Sequence, residues 1–218
     1  MLVLIACEES QTECMAFRAL GHEAYSCDIQ EPSGGHPEWH ILGDALEAMR
    51  GGQITTMDGQ THDIPGWDLM IAHPPCTYLS NLGSANLRKH GIINAERMAK
   101  AVDAKQFFMA CLEAPIPRIC VENPVPGRIH RLPPYSQIVQ PYMFGDPWLK
   151  RTCLWIKNLP ILMATDIVVP TGKWVETTHN GRASGNWAVR GHSSAKMRSK
   201  SFPGIARAMA EQWGRYAT

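Results

Sequence analysis

The chain has 218 residues and a formal net charge of +1, with 44% apolar and 19% charged side chains. This balance excludes a disordered chain and a protein held to a polyanion by charge alone, and it suffices for one substantial core. No apolar run approaches the roughly 20 residues of a membrane helix. Cysteines at 7, 14, 27, 76, 111, 120 and 153 are odd in number and lack CxxC spacing, which argues against a disulfide framework or a short-range zinc site and for a reducing cytoplasm.

Residues 2–6 are aliphatic, lack a basic flank and run into Glu8 and Glu9, so they read as a core strand rather than a leader. Ser10 to about Ala19 brings Cys14, Met15, Phe17 and Ala19 to near-helical spacing before Gly21. The segment from Glu23 to Ile29 returns to a strand ending at Asp28. Strand, helix and strand in under thirty residues open a parallel α/β sheet.

Residues 30–63 read as loops with a short helix over 44–49 and a hairpin around Asp58 and Gly59. Trp67 to Ala72 is the next strand, stopped by His73, Pro74 and Pro75. Asn94 to Glu113 is the longest predicted helix. Met98, Val102, Met109 and Leu112 mark its expected apolar stripe, widened by Ala101 and Phe108. Ile119 to Asn123 and Thr152 to Ile156 read as further strands, 171–200 as a polar loop or insertion, and Phe202 to Trp213 as an amphipathic segment with Ile205, Ala206, Met209 and Trp213 on one side. The chain is expected to form one α/β domain, 1–218.

Open α/β sheets bind ligands beyond the carboxyl ends of their strands. The sequence places Cys7 to Ser10, Asp28, Cys76, and Glu122 with Asn123 at such ends. An acid that ends a second strand suits a ribose diol, and Asp44 after Gly43 is a similar candidate or a helix cap. Two prolines deliver Cys76 on a stiff loop, where a thiolate is a good nucleophile if donors or positive charge lie beside it; a packed structural cysteine is the plainer reading. Glu122 follows an apolar run, so burial is expected to raise its pKa and let it hold or donate a proton, unless an arginine pairs with it. Asn123 can donate and accept. Arg151 could meet a phosphate or orient a ring, and Arg190, Lys196, Arg198 and Lys200 are candidates for backbone phosphates. Residues 1–70 carry twelve of the twenty acidic side chains but two of the twenty-one basic ones, which suits separate faces for a polyanion and for something else.

The pattern Pro74-Pro75-Cys76 with Ser80 downstream, then Glu122-Asn123 after an apolar strand, resembles the cytosine-5 DNA methyltransferase family, especially its small phage- or prophage-borne members. Asp28, Gly43-Asp44 and the closing run Arg198 to Ala208 stand in the family's order, and the resemblance covers about 1–156 and 196–214. It implies a Rossmann-like class I S-adenosylmethionine-dependent methyltransferase fold, with a central, mostly parallel sheet and flanking helices. Cys76 would attack carbon 6 of a flipped-out cytosine, Glu122 would contact N3 and the exocyclic amine, Asn123 would support the loop, and Arg151 would be the later catalytic arginine. S-adenosylmethionine would lie against Cys7, Glu9, Ser10, Gln11, Asp28, Asp44, His73 and Pro74. Ser80, Arg190, Lys196 and Arg198 would face DNA, duplex or single-stranded. A monomer without membrane attachment is expected.

Two departures stand out. The family opens with a glycine-rich loop, whereas this chain has Cys7-Glu-Glu-Ser-Gln-Thr12. Residues 157–195 are a short polar insertion where the family carries a target-recognition domain. That predicts weak sequence specificity, a short target, or RNA or a nucleotide as substrate. Competing readings are methylation of an exocyclic amine, for which His73 and Cys76 are the wrong residues, and a non-catalytic nucleic-acid-binding relative. A metal hydrolase fits poorly, since the histidines are scattered without HxxxH.

Overall fold

A computed structural model describes residues 1–89, 92–174, 178–179, 182–183, 188–189 and 200–216. Its centre is a seven-stranded sheet. The chain enters through β1 (Leu2–Ala6), crosses back by α1 (Thr12–Ala19) and continues as β2 (Glu23–Asp28) and β3 (His40–Leu42). After α2 (Ala45–Ala48), β4 (Gly52–Thr55) and β5 (Thr61–Ile64) form the expected hairpin outside the sheet. β6 (Leu69–Ala72) then pairs with β1 on the side away from β2. A short helix α3 (Asn81–Ser84), a small hairpin of β7 (Arg88–Lys89) and β8 (Ile92–Ile93), and the long helix α4 (Ala95–Glu113) lead to β9 (Arg118–Pro124). β10 (Gln137–Val139), β11 (Trp148–Leu149), β12 (Thr152–Lys157) and the last long helix, α5 (Pro203–Trp213), follow.

The order across the sheet is β10-β12-β9-β6-β1-β2-β3. Counted among themselves in chain order, these seven strands run 3-2-1-4-5-7-6. Six of them, β3, β2, β1, β6, β9 and β10, run in one direction, and β12 alone of the seven is reversed, antiparallel to both β9 and β10. The winding reverses between β1 and β6, which is where doubly wound sheets open a ligand crevice. The expected mostly parallel α/β sheet with flanking helices is therefore present.

Strand side chains alternate between two cores because successive residues point to opposite faces. Leu4, Ala6, Met70, Ala72, Ile119, Val121 and Trp155 face α2, the β4–β5 hairpin and α4. Val3, Ile5, Leu69, Ile71, Cys120 and Leu154 face α1 and α5, which contribute Phe17, Met209 and Trp213. Continuous aliphatic runs in the sequence are what strands covered on both faces require. None of the seven cysteines is disulfide-bonded. Among the described residues no helix is long and apolar enough to cross a membrane.

The structure corrects three sequence expectations. β3 lies in a stretch read as loop; it has only three residues, too few to show a period. The buried face of α4 is Ala101, Phe108 and Cys111, whereas Val102 is 47% exposed. Ala101 and Phe108 lie on the expected face, with Met109 and Leu112 half-buried against the same core; Val102 turns to solvent instead, and Cys111 takes a buried place that the apolar pattern did not mark. Trp67 precedes its strand and fills the α2 face, donating its indole N–H to the Ala48 carbonyl at 2.7 Å.

Gly204 allows α5 to dock. A Cβ there would collide with the Phe144 carbonyl oxygen and come within 2.8 Å of Asp146 Oδ2, the carboxylate that accepts the Gly204 N–H at 3.0 Å. Backbone cannot yield as a side chain can. Gly204→Ala is expected to cost about 1–3 kcal/mol of stability, measured as a lowered urea midpoint; an unchanged midpoint would show that the contact is slack.

Candidate active site

The sheet's carboxyl edge carries the candidate residues, beginning with the loop after β1. Cys7 and Gln11 both have left-handed backbones, φ 61° and 59°. This is the conformation glycine ordinarily supplies, at a cost of order 1–3 kcal/mol for other residues. Gln11 is fully buried and its amide is fully used: Nε2 donates to Ser26 Oγ at 3.2 Å and to the His36 carbonyl at 2.8 Å, while Oε1 accepts the His36 N–H at 3.1 Å. It holds the loop's shape rather than presenting a group to a ligand.

Glu8 occupies the N-terminus of α1, accepting the Glu13 N–H at 2.8 Å and the Cys14 N–H at 3.4 Å. Burial, then the nearby Glu13 charge, push its carboxyl well above the usual range. Ser10 sits beside it, donating to Glu8 Oε1 at 3.4 Å. Glu9 is buried, and its carbonyl accepts the Ser33 N–H at 2.7 Å, which draws the loop after β2 over the first loop. Only glycine fits at Gly34, whose Cβ would lie 2.6 Å from Gln11 Cβ. Lys200 closes the same region by donating to Ser33 Oγ at 2.9 Å.

Asp28 ends β2 as expected and accepts the Gln30 N–H at 2.9 Å; the next residue, Ile29, is 81% exposed. Asp44 caps α2 through the Leu46 N–H at 2.9 Å, as the helix-cap reading anticipated, and is exposed. The Cys7 thiol is raised well above its ordinary value by burial, with neighbouring thiols and both aspartates adding to it. Asp28, Asp44 and Cys7 therefore share one acidic flank.

His73 Nδ1 lies 2.7 Å from Glu122 Oε2, and His73 Nε2 lies 3.4 Å from Glu13 Oε1, an ion-pair distance without hydrogen-bond alignment. All three side chains are largely buried, with 12%, 14% and 1% exposure for His73, Glu122 and Glu13. Burial works against the charge on His73, but Glu13 and the Glu122 hydrogen bond outweigh it and raise the imidazole above its usual 6.5. Glu122 behaves contrary to the sequence expectation. Burial pushes it up, yet the His73 hydrogen bond, the Lys150 charge and the Thr152 hydroxyl bring it below its usual 4.5. Its partner is a histidine, not an arginine.

Cys76 is half-buried, and its carbonyl accepts the Leu79 and Ser80 N–H groups at 3.2 and 3.0 Å. The loop is tied to β9 on its other side, since Asn123 Nδ2 donates to the Pro74 carbonyl at 3.0 Å within the core. Beyond it, Asn81 N–H donates to the Val125 carbonyl and Gly127 N–H to the Leu79 carbonyl, both at 2.8 Å. Ser80 is buried and caps α3 by accepting the Gly83 N–H at 3.0 Å. Arg97 reaches from α4 to the Thr77 and Gly83 carbonyls at 3.3 and 3.1 Å, with its guanidinium 5.0 Å from the Tyr78 ring centre.

Because β12 is antiparallel, its start meets the end of β9, Thr152 opposite Pro124. This carries Lys150 and Arg151 to the carboxyl edge. Arg151 is exposed, and its charge acts on Cys153; Lys150 is the cation whose charge reaches Glu122 and His73. Arg190, Lys196 and Arg198 lie outside the described residues. Sequence reasoning missed the pairing role of His73, together with Glu13, Arg97 and Lys150. Glu13 carried the one available signal, a lone acid in the first turn of a helix that buries Cys14 and Phe17. Among the described residues, no group of three His, Cys, Asp or Glu side chains could hold a metal ion.

No protein-family model and no curated protein matches the chain. Solved structures that do match include a chain assigned as a DNA modification methyltransferase encoded within an Escherichia coli prophage. The identity is 14% and the TM-score 0.44, over 78% of this chain and 52% of that one, so this chain spans about half the neighbour's length.

The His73–Glu122 pair makes stability pH-dependent in a defined direction. The raised His73 contributes fully below its usual 6.5 and loses that contribution as pH rises through its folded value. The lowered Glu122 contributes above its usual 4.5 and loses it as pH falls. The stability difference between wild type and His73→Gln should therefore be largest between pH 4.5 and 6.5, at about 3 kcal/mol, and shrink on the alkaline side. Urea midpoints across pH 4–9 measure it, and a difference that is flat with pH would rule out a charged pair.

Proposed function

We propose that this chain methylates carbon 5 of cytosine in DNA, with Cys76 as the nucleophile and S-adenosylmethionine as the methyl donor. The observation that carries this reading is the stitching of the Cys76 loop to Glu122 and Asn123, through the 2.7 Å His73–Glu122 contact and the 3.0 Å Asn123–Pro74 bond. The loop that bears the thiol is tied to the buried carboxylate of the neighbouring strand, an arrangement that supports ring addition.

The first two strand ends fit a nucleoside cofactor with a sulfonium. Asp28 is a diol acceptor, and the exposed face of Ile29 beside it suits a flat apolar ring. Cys7 and Gln11 supply the turns that the missing glycines would make, and the acids of β1–α1, Asp28 and Asp44 suit a cation. The α1 N-terminus, the usual phosphate site in such folds, is filled by the Glu8 carboxyl; a donor without phosphates does not need it. When bound, S-adenosylmethionine supplies an electrophilic methyl group. Ser10, Glu9, His73 and Pro74 belong to the same crevice.

Cys76 adds to carbon 6 of an extruded cytosine, which makes carbon 5 electron-rich. After carbon 5 is methylated, loss of its proton and elimination of the Cys76 thiolate restore the aromatic ring. Glu122, ionised beside His73, accepts from the exocyclic amine and serves N3, a pattern that selects cytosine over bases with a carbonyl at that position. Asn123 fixes the loop through Pro74. Lys150 and Arg151 meet the phosphate or the ring from the basic flank, and Arg190, Lys196 and Arg198 contact backbone phosphates. The base leaves its stack to reach Cys76, and Ser80 sets the loop's exit.

Purified protein incubated with methyl-labelled S-adenosylmethionine and DNA, RNA or nucleotides, followed by digestion and mass identification of nucleosides, tests this. Labelled 5-methylcytosine is expected in DNA, lowered at least about 10³-fold by Cys76→Ala. Methylated adenine, or cytosine product that survives Cys76→Ala, overturns the nucleophile; product in RNA or nucleotide alone overturns the substrate.

A further inference from the structure

The buried Glu13–His73–Glu122 row reaches further than a tie between strands. Glu13 comes from α1, His73 from the end of β6 and Glu122 from β9, so three elements converge on one imidazole. Glu13 is 1% exposed and its Oε2 has no hydrogen-bond partner among the described residues; neither has His73 Nε2. A carboxylate buried at this cost, aimed at a histidine rather than at solvent, is placed to act on that histidine. The other titratable groups around it are Lys150, before β12, Glu8, in the β1–α1 loop, which acts through Glu13, and the buried Cys120 thiol, which Glu122 and Glu13 raise further after burial.

We propose that His73, held by Glu13, is a positioning residue that stores the proton Glu122 delivers to N3 of the bound cytosine. This rests on the methyltransferase reading above. As the Cys76 thiolate, already free of its proton and regenerated as such at the end, forms the Sγ–C6 bond, the ring π electrons shift so that a pair collects on N3. The His73 Nδ1–H bond breaks as a Glu122 Oε2–H bond forms, and the carboxyl, turned about its Cγ–Cδ bond, passes the proton to N3. On elimination the Sγ–C6 bond breaks, the N3 proton returns to Glu122 and then to His73, and the carbon-5 proton leaves to solvent. The relay is left as it began, and no outside reagent enters it. Direct protonation from an ordinary glutamate would demand a carboxyl neutral at working pH. Here the proton waits on the imidazole, one hydrogen bond away, and Glu122 stays ionised to receive the exocyclic amine.

Two measurements test this on the full-length protein. The first is an NMR titration of the His73 ring, made without cofactor or nucleic acid, in wild type and in Glu13→Gln. The wild-type ring should keep its proton above pH 6.5, and Glu13→Gln should lower its midpoint by about one unit or more. The second is the pH profile of methyl transfer. Wild-type turnover should fall on the alkaline side with the His73 midpoint seen by NMR. Glu13→Gln should move that limb to lower pH by the same amount, and His73→Asn should lose the limb with about a 10²-fold lower rate. A purely structural role would lower the Glu13→Gln rate equally at every pH, and that result overturns the relay. So does a wild-type limb that does not coincide with the His73 titration, a comparison that needs no variant to fold. Absence of wild-type product on any nucleic acid, with His73 titrating as expected, instead overturns the methyltransferase reading beneath it.

Discussion

One buried imidazole, His73, fixes the geometry of the carboxyl edge. It ends β6, faces Glu122 on the neighbouring β9 and faces Glu13 on the helix that covers β1. Strand pairing alone would place β6 and β9 side by side but would leave their exiting loops independent. The ion pair, together with the Asn123–Pro74 bond, makes the two exits one unit. Such a row does not supply net stability for its own sake, because removing charges from water costs several kcal/mol for each ion. Its return lies in specificity: with one partner removed, the others remain buried and uncompensated, so the loop has a single well-defined seat.

The first loop meets a different constraint by different means. Where nucleotide folds commonly turn on glycine, this chain forces Cys7 and Gln11 into left-handed backbone and compensates with side-chain bonds that glycine could not make. Gln11 ties the loop to β2 and to the loop beyond it. Glu8 then satisfies the opening N–H groups of α1 that a glycine-rich loop leaves to a ligand. The loop is consequently internally complete. It presents walls and acids, not a bare helix end.

Much of the fold was legible in the sequence because buried parallel strands are written as short aliphatic runs. β1, β2, β6, β9 and β12 all carry that signature, and α5 carries a clear apolar face. β3 did not, being three residues long, and on α4 Val102 was overweighted and Cys111 missed, because valine weighs heavily and cysteine little in an apolar pattern. At the site, Cys76, Glu122 and Asn123 announced themselves as polar residues at the ends of apolar strands. Their partners did not. His73, Glu13, Arg97 and Lys150 are separated from the residues they serve by as many as 77 positions, and apart from the placement of Glu13 in a buried first turn nothing local distinguishes them from surface charges. The direction of the Glu122 pKa was misread for the same reason. Burial was visible in the apolar run before it, whereas the histidine that reverses the outcome is contributed by another strand.

The reversed strand explains how opposite charges come to lie along one edge. If β12 ran parallel to β9, Lys150 and Arg151 would precede it at the far end of the sheet, well away from Cys76. Antiparallel pairing brings them to the edge where the parallel strands finish. The strand order then grades the edge from Asp44 and Asp28 beyond β3 and β2, through Cys76 and Glu122 at the ends of β6 and β9, to Lys150 and Arg151 before β12. A cationic group is favoured on the first flank and an anionic one on the second, with the Cys76 loop between them. The uneven division of charge between residues 1–70 and the rest of the chain thus becomes a spatial separation. A chain with the same composition and every strand parallel would have the same pI and no such axis.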